Sequence, residues 1–308
     1  MLSADKITYG FVSDQLVFSD LSLQIESGQI ISIVGPSGVG KSTLLKCLAG
    51  KLQLLGGKII VDNERVFGPE EKLLSGHEEI ALVDQSFSLD EYFSVAENIS
   101  NQLLHLTKKE REEFTNELLN VFGLEELRGQ PSRLISGGEK QRLSMACALA
   151  KEPKYLLLDE PFSNLDVHLK RSIGIYLRKL QALRNMGVVL VTHEGIDALS
   201  WSDTIFFFKR NGALRKYSPQ KAYYSPKNLF EGRFFGELNS VYSKGKQILF
   251  RPTAYQLEAS ENGLELKVTF LSADFHGHYY SNYFKLATGK SIVLYADSIL
   301  EEIDTIYV

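Results

Sequence analysis

The densest chemistry in the chain lies in Gly35-Pro36-Ser37-Gly38-Val39-Gly40-Lys41-Ser42-Thr43. Glycines at 35, 38 and 40 let the backbone turn tightly enough for successive N–H groups to converge. A helix starting near Lys41 adds the positive end of its dipole. Such a cradle wants an anion. Lys41 is placed to reach the β- and γ-phosphates of a nucleoside triphosphate, and the Ser42 hydroxyl to ligate the magnesium that accompanies it. The apolar run Ile30, Ile31, Ile33 and Val34 predicts the strand that leads into the cradle.

Other polar residues follow predicted buried strands. Tyr155-Leu156-Leu157-Leu158-Asp159-Glu160 is an apolar run ending in two carboxylates. It reads as a central parallel strand whose acids sit at the carboxyl edge, where open α/β sheets hold their ligands. Val188 to His193 predicts another such strand, ending in the histidine, and Ile80 to Gln85 a shorter one, ending in the glutamine. Ser136-Gly137-Gly138 opens a predicted helix through Leu149, a second anion-binding helix start whose glycines let backbone approach a ligand. Near the start, Lys6 to Phe11 and Leu21 to Ile25 alternate as two strands with a loop at Val12 to Gln15. Phe11 is the candidate for stacking on a base, with Tyr9 as the alternative.

These groups are set in a chain of 308 residues, 44% hydrophobic, which is long enough for two domains. A formal net charge of -4 argues against non-specific nucleic-acid binding. The first residues lack a secretory layout and no apolar run spans a bilayer, so a cytoplasmic protein is expected. Cys47 and Cys147 lie in helix-like apolar patterns and are assigned to the core. Gly56 to Asn63 reads as turn, strand and turn, Ser94 to about Gly123 as a helical insertion, and Lys108 to Glu113 as a solvated helix face. From Phe230 to Val308, Arg251-Pro252, Leu264 to Phe270 and Ser291 to Tyr295 alternate as short strands of a small all-β domain. Tyr279, Tyr280, Tyr283 and Phe284 are read there as core or contact aromatics rather than a ligand cage.

The order of cradle, Gln85, Ser136-Gly137-Gly138, Asp159-Glu160 and His193 resembles the ATP-binding cassette (ABC) family over residues 1 to about 230. Departures from the family pattern are Glu139 where glutamine is commonest, Asn164 in place of an alanine, and Cys147 in place of an arginine. The fold class implied is α/β: a P-loop NTPase cassette with a mixed, largely parallel central sheet, an antiparallel β subdomain and a helical subdomain at about 94–150. Residues 231–308 resemble the OB-like accessory domain of importer ATPases, although Asp90-Glu91-Tyr92 replaces the Phe-Pro-His common in those relatives.

The resemblance implies ATP hydrolysis by an in-line water, with ATP and Mg2+ as ligands. Asp159 would hold the metal with Ser42, Glu160 would accept the proton of the attacking water, Gln85 would reach the metal or that water, and His193 would donate to the γ-phosphate. Ser136, Gly137 and Gly138 would complete the site of an opposite subunit, with Asp166 bridging across. A second copy of the chain and a membrane permease are the implied partners, and nucleic acid is not expected. The chain would sit peripherally on the inner face of the membrane as the energy-coupling subunit of an importer of a small solute or ion. Phe87, Leu89, Tyr92 and Phe93 would meet the permease. The alternatives are a soluble cassette ATPase acting on ribosomes or DNA and the ATPase of an exporter.

Overall fold

The computed structural model describes residues 1–308 other than 13, 14, 85, 164, 210, 211 and 260–262. It divides into two compact units, Met1–Pro219 and Gln220–Val308.

In the first unit, β1 (Leu2–Val12), β2 (Gln15–Ile25), β4 (Gly56–Val61) and β5 (Glu64–Val66) form an antiparallel sheet in the order β2-β1-β4-β5. The first two strands run longer than their alternation suggested. Val12 and Gln15 pair with each other as strand ends, whereas the expectation had them in a loop. A second sheet has the order β10-β9-β3-β8-β7-β6, built from β3 (Ile30–Val34), β6 (Ile80–Val83), β7 (Tyr155–Asp159), β8 (Gly187–Thr192), β9 (Thr204–Phe208) and β10 (Leu214–Tyr217). Its strands are parallel except for β10. The apolar runs that predicted β7 and β8 are buried on both faces, and the pleat sorts them. Leu156, Leu158, Val188 and Leu190 pack into one core with the helical segments, while Tyr155, Leu157, Val189 and Val191 pack into another with the antiparallel sheet.

Helices α1 (Lys41–Leu48), α2 (Val95–Ser100), α3 (Lys108–Val121), α4 (Gly137–Ala150), α5 (Val167–Arg184) and α6 (Gly195–Trp201) complete the unit. Three begin with the same reciprocal device. Ser94 with Glu97, Thr107 with Glu110, and Ser136 with Glu139 form capping boxes that satisfy backbone donors at the first turns of α2, α3 and α4. Cys47 and Cys147 are buried, and burial pushes both thiols up to about 12.

The second unit takes in α7 (Pro219–Tyr224) beyond its first residue, and all of α8 (Leu229–Phe234), whereas the sequence boundary at 230 put α7 in the cassette and cut through α8. The buried Arg251 explains the difference, because its guanidinium donates to the carbonyls of Tyr223, Gly232, Gly236 and Glu237. Arg251-Pro252 is therefore not a strand. It follows the hairpin β11 (Asn239–Ser243) and β12 (Lys246–Phe250). An antiparallel sheet in the order β15-β14-β13-β16 comprises β13 (Glu265–Phe275), β14 (Tyr280–Leu286), β15 (Ser291–Ala296) and β16 (Thr305–Tyr307). With the hairpin it makes an open half-barrel around Phe284, Leu294 and Ile306. Of the four aromatics singled out, Phe284 is core, whereas Tyr279 stacks against His276 with centroids 5.0 Å apart.

Candidate functional site

Parallel pairing brings the polar residues together. Val34 pairs with Thr192 and Asp159 with Val191, so Gly35, Glu160 and His193 leave the sheet at one edge. The cradle needs its glycines for space as well as conformation. Gly35 has φ +150° and a Cβ there would lie 2.4 Å from the Phe208 carbonyl oxygen; Gly40 has φ +104° and a Cβ would lie 2.4 Å from a Val17 methyl.

Lys41 is buried, and its ammonium donates to the Gly35 and Pro36 carbonyls at 2.9 Å each. Burial lowers its proton affinity, and the charges of Glu160 and Asp159 work against that. The amine thus lies folded over the loop that would hold phosphate. Asp159 is 5% exposed, and its Oδ1 is a buried acceptor with no hydrogen-bond partner among the described residues. Burial raises its pKa, opposed by the Ser42 hydroxyl and reinforced by Glu160. An unpartnered buried carboxylate oxygen beside a serine hydroxyl and a phosphate cradle fits a divalent cation held by few side chains plus substrate oxygens.

Glu160 sits at φ +52°, uncommon for a residue with a side chain. Its N–H donates to the Val191 carbonyl at 2.8 Å, and its carbonyl accepts from Gln141 Nε2 and Ser163 Oγ at 2.8 Å each. Its carboxylate Oε1 lies 2.9 Å from His193 Nδ1. With Nδ1 turned to that carboxylate, Nε2 is the ring atom left to face a substrate, and it donates to an oxyanion when the ring carries both protons.

Two pockets meet at Glu160. One of about 360 Å³ is lined by Phe11, Val17, the cradle residues Ser37, Gly38, Gly40, Lys41, Ser42 and Thr43, and Glu160. Phe11 is 73% exposed there, whereas Tyr9 is core. The other, about 510 Å³, gathers Gly137, Gly138, Gln141, Glu160, His193 and Phe87. A Cβ on Gly137 or Gly138 would meet nothing within 4 Å, so the first turn of α4 offers bare backbone.

Not every expected residue joins these pockets. Asp166 caps α5, its Oδ1 accepting from the His168 and Leu169 N–H groups at 2.9 Å each. Gln85 and Asn164 lie outside the described residues. Glu139, the departure from glutamine, accepts from the Ser136 N–H at 2.7 Å and closes the capping box. The four aromatic and aliphatic loop residues separate. Phe87 lines the second pocket, Leu89 packs on the core, and Tyr92 and Phe93 face solvent. Sequence reasoning gave no role to Gln141 or Ser163. The available signal was a glutamine one turn beyond two glycines on a helix that otherwise buries apolar residues.

A strand, glycine cradle and helix beside a strand ending in buried and half-buried acids define a P-loop nucleotide-binding cassette. Residues 18–163 match the ABC transporter family, and the first unit belongs to that family. The chain is 36% identical to the Fe(3+) ions import ATP-binding protein FbpC of Vibrio cholerae, over 75% of this chain and 66% of that protein. It is 34% identical to the spermidine/putrescine import ATP-binding protein PotA of Thermotoga maritima, over 74% and 62%. These matches thus span less than two thirds of the length of those relatives. Among solved structures, a dimeric ATP-binding cassette in a post-hydrolysis state bound to ADP and Pi superposes with TM-score 0.63 at 27% identity, covering 71% of this chain and 99% of that one.

Proposed function

We propose that the chain is the ATP-hydrolysing, energy-coupling subunit of a membrane importer, working as a pair of cassettes. The observation that carries this reading is the convergence of the cradle, the unpartnered Asp159 oxygen and the Glu160–His193 contact at one sheet edge. Lys41 swings from its carbonyls to the β- and γ-phosphates, and the backbone N–H groups of the cradle hold the remaining oxygens. Phe11 offers a face to the base. Ser42 and Asp159 would hold a magnesium ion, which would supply neutralisation of phosphate charge; Gln85, outside the described residues, is assigned from the sequence to that metal or to the attacking water. Glu160 takes the proton of the attacking water, and His193 donates to the γ-phosphate as charge moves onto it.

Ser136 and the bare backbone of Gly137 and Gly138 complete the nucleotide site of the partner copy, and Asp166 lies at the same seam. Relatives named as Fe(3+) and spermidine/putrescine import proteins support the importer role, as does the half-barrel of the second unit. Since those names differ in cargo, the reading commits to a small solute or ion. No helix of the described residues is long and apolar enough to cross a membrane; the reading places the chain at the inner face through a permease.

The test is Glu160→Gln, which keeps shape and removes the base. Turnover falls by about 10²- to 10⁴-fold and ATP stays bound, so a stable ATP-dependent dimer appears by size-exclusion chromatography. Undiminished turnover, or a monomer under every nucleotide condition, overturns the reading.

A further inference from the structure

We propose that Gln141 is a positioning residue that couples the two nucleotide sites of the dimer through a single turn of α4. The inference rests on the paired-cassette reading above and deepens it. Ser136, Gly137 and Gly138 begin α4, and Gln141 lies four residues after Gly137, on the same helix face. All but Ser136 line the pocket that Glu160 and His193 also enter. The two ends of that turn serve different sites. Its first residues approach the nucleotide held by the partner copy, whereas the buried Gln141 amide donates at 2.8 Å to the carbonyl of this copy's own Glu160.

What that bond holds is specific. Glu160 occupies a left-handed backbone conformation, which a residue with a side chain keeps only when its surroundings over-determine it. The Val191 carbonyl fixes its N–H, and Gln141 and Ser163 fix its carbonyl. Ser163 is a local partner three residues along the same turn. Gln141 is the donor that comes from another element, so a shift of α4 on engaging the partner's γ-phosphate bears directly on the peptide that aims the Glu160 carboxylate. The base of one site thereby responds to occupancy of the other. Gln141 itself does not line the cradle pocket, so turnover and cooperativity, not ATP affinity, are its readout.

The experiment measures steady-state ATP turnover of the full chain against ATP concentration for wild type, Gln141→Met and Gln141→Lys. Methionine conserves volume and has no donor; lysine keeps a donor of similar reach. Gln141→Met lowers kcat by about tenfold, the effect of one buried hydrogen bond on a barrier, leaves KM for ATP unchanged, and brings the Hill coefficient down toward 1. Gln141→Lys retains kcat within about threefold of wild type and keeps the Hill coefficient; it also carries the test should the methionine variant fail to fold, since loss of cooperativity in a folded lysine variant counts against the proposal. Wild-type kinetics in Gln141→Met, or equal losses in both variants, overturn the inference and leave the paired-cassette reading standing. That reading falls separately if the wild-type chain hydrolyses ATP while the Glu160→Gln variant never forms an ATP-dependent dimer.

Discussion

Asp159 is a carboxylate held where the fold opposes a charge. It is buried, one of its oxygens has no partner, and burial raises its pKa. A raised folded-state pKa means that the folded form holds the proton more tightly than the unfolded form. The resulting penalty is absent below the unfolded value of 3.8 and fully present once pH has risen past the raised one. Asp159→Asn therefore stabilises the nucleotide-free first unit at pH 7, by about 2–4 °C if the relief is about 1 kcal/mol, and the gain shrinks as pH falls. Magnesium-dependent hydrolysis disappears in the same variant. A melting temperature that stays put at pH 7 would show that Asp159 is already satisfied. Lys41 makes the complementary case, since its ammonium has carbonyl partners that a phosphate must replace. Lys41→Ala keeps the fold and weakens MgATP binding by at least about 10- to 100-fold, read by nucleotide titration. Unchanged affinity would remove the cradle assignment.

Among elements, the loop between β6 and α2 shows where sequence reading stops. The strands and helix starts of the site were legible because their signals are local: an apolar run ending in acids, or glycines before Lys-Ser. Which of four large apolar residues in a loop faces water depends on distant partners. Asn98 decides it here. Its side chain accepts from the Asp90 N–H and donates to the carbonyls of Asp90, Phe93 and Ser94, while Ser132 Oγ donates to the Asp90 carbonyl at 2.7 Å. So held, the loop turns Leu89 inward and leaves Tyr92 78% exposed beside the Arg133 guanidinium. The Gln141 bond to Glu160 was equally illegible, being a contact between residues 19 apart whose meaning depends on the backbone twist at Glu160. Tyr92 and Phe93 are the exposed pair of the four, and in the importer reading proposed above they are what a permease would cover. Replacing both with serine leaves the basal hydrolysis of the isolated chain within about twofold and abolishes its copurification with the permease. If the double variant instead unfolds, the two rings belong to the core.

For the whole molecule, two compact units that share none of their core clusters imply two thermal transitions that can be addressed one at a time. The first unit carries the cradle, so MgATP at about 100 times its Kd raises that transition by about 2.7 kcal/mol. The second unit is organised by Arg251, a buried cation whose guanidinium lies 4.0 Å from the centroid of the Tyr223 ring and serves four backbone carbonyls. Removing it leaves those carbonyls buried without donors, which costs at least about 3 kcal/mol. For a unit of this size that is a fall of more than about 10 °C in the second transition for Arg251→Ala. Lysine recovers only part, because a point donor cannot serve carbonyls arranged around a planar fork. Scanning calorimetry with and without MgATP separates the effects: the nucleotide moves one transition, the substitution the other. A single transition that both perturbations shift together would mean that the two units fold as one.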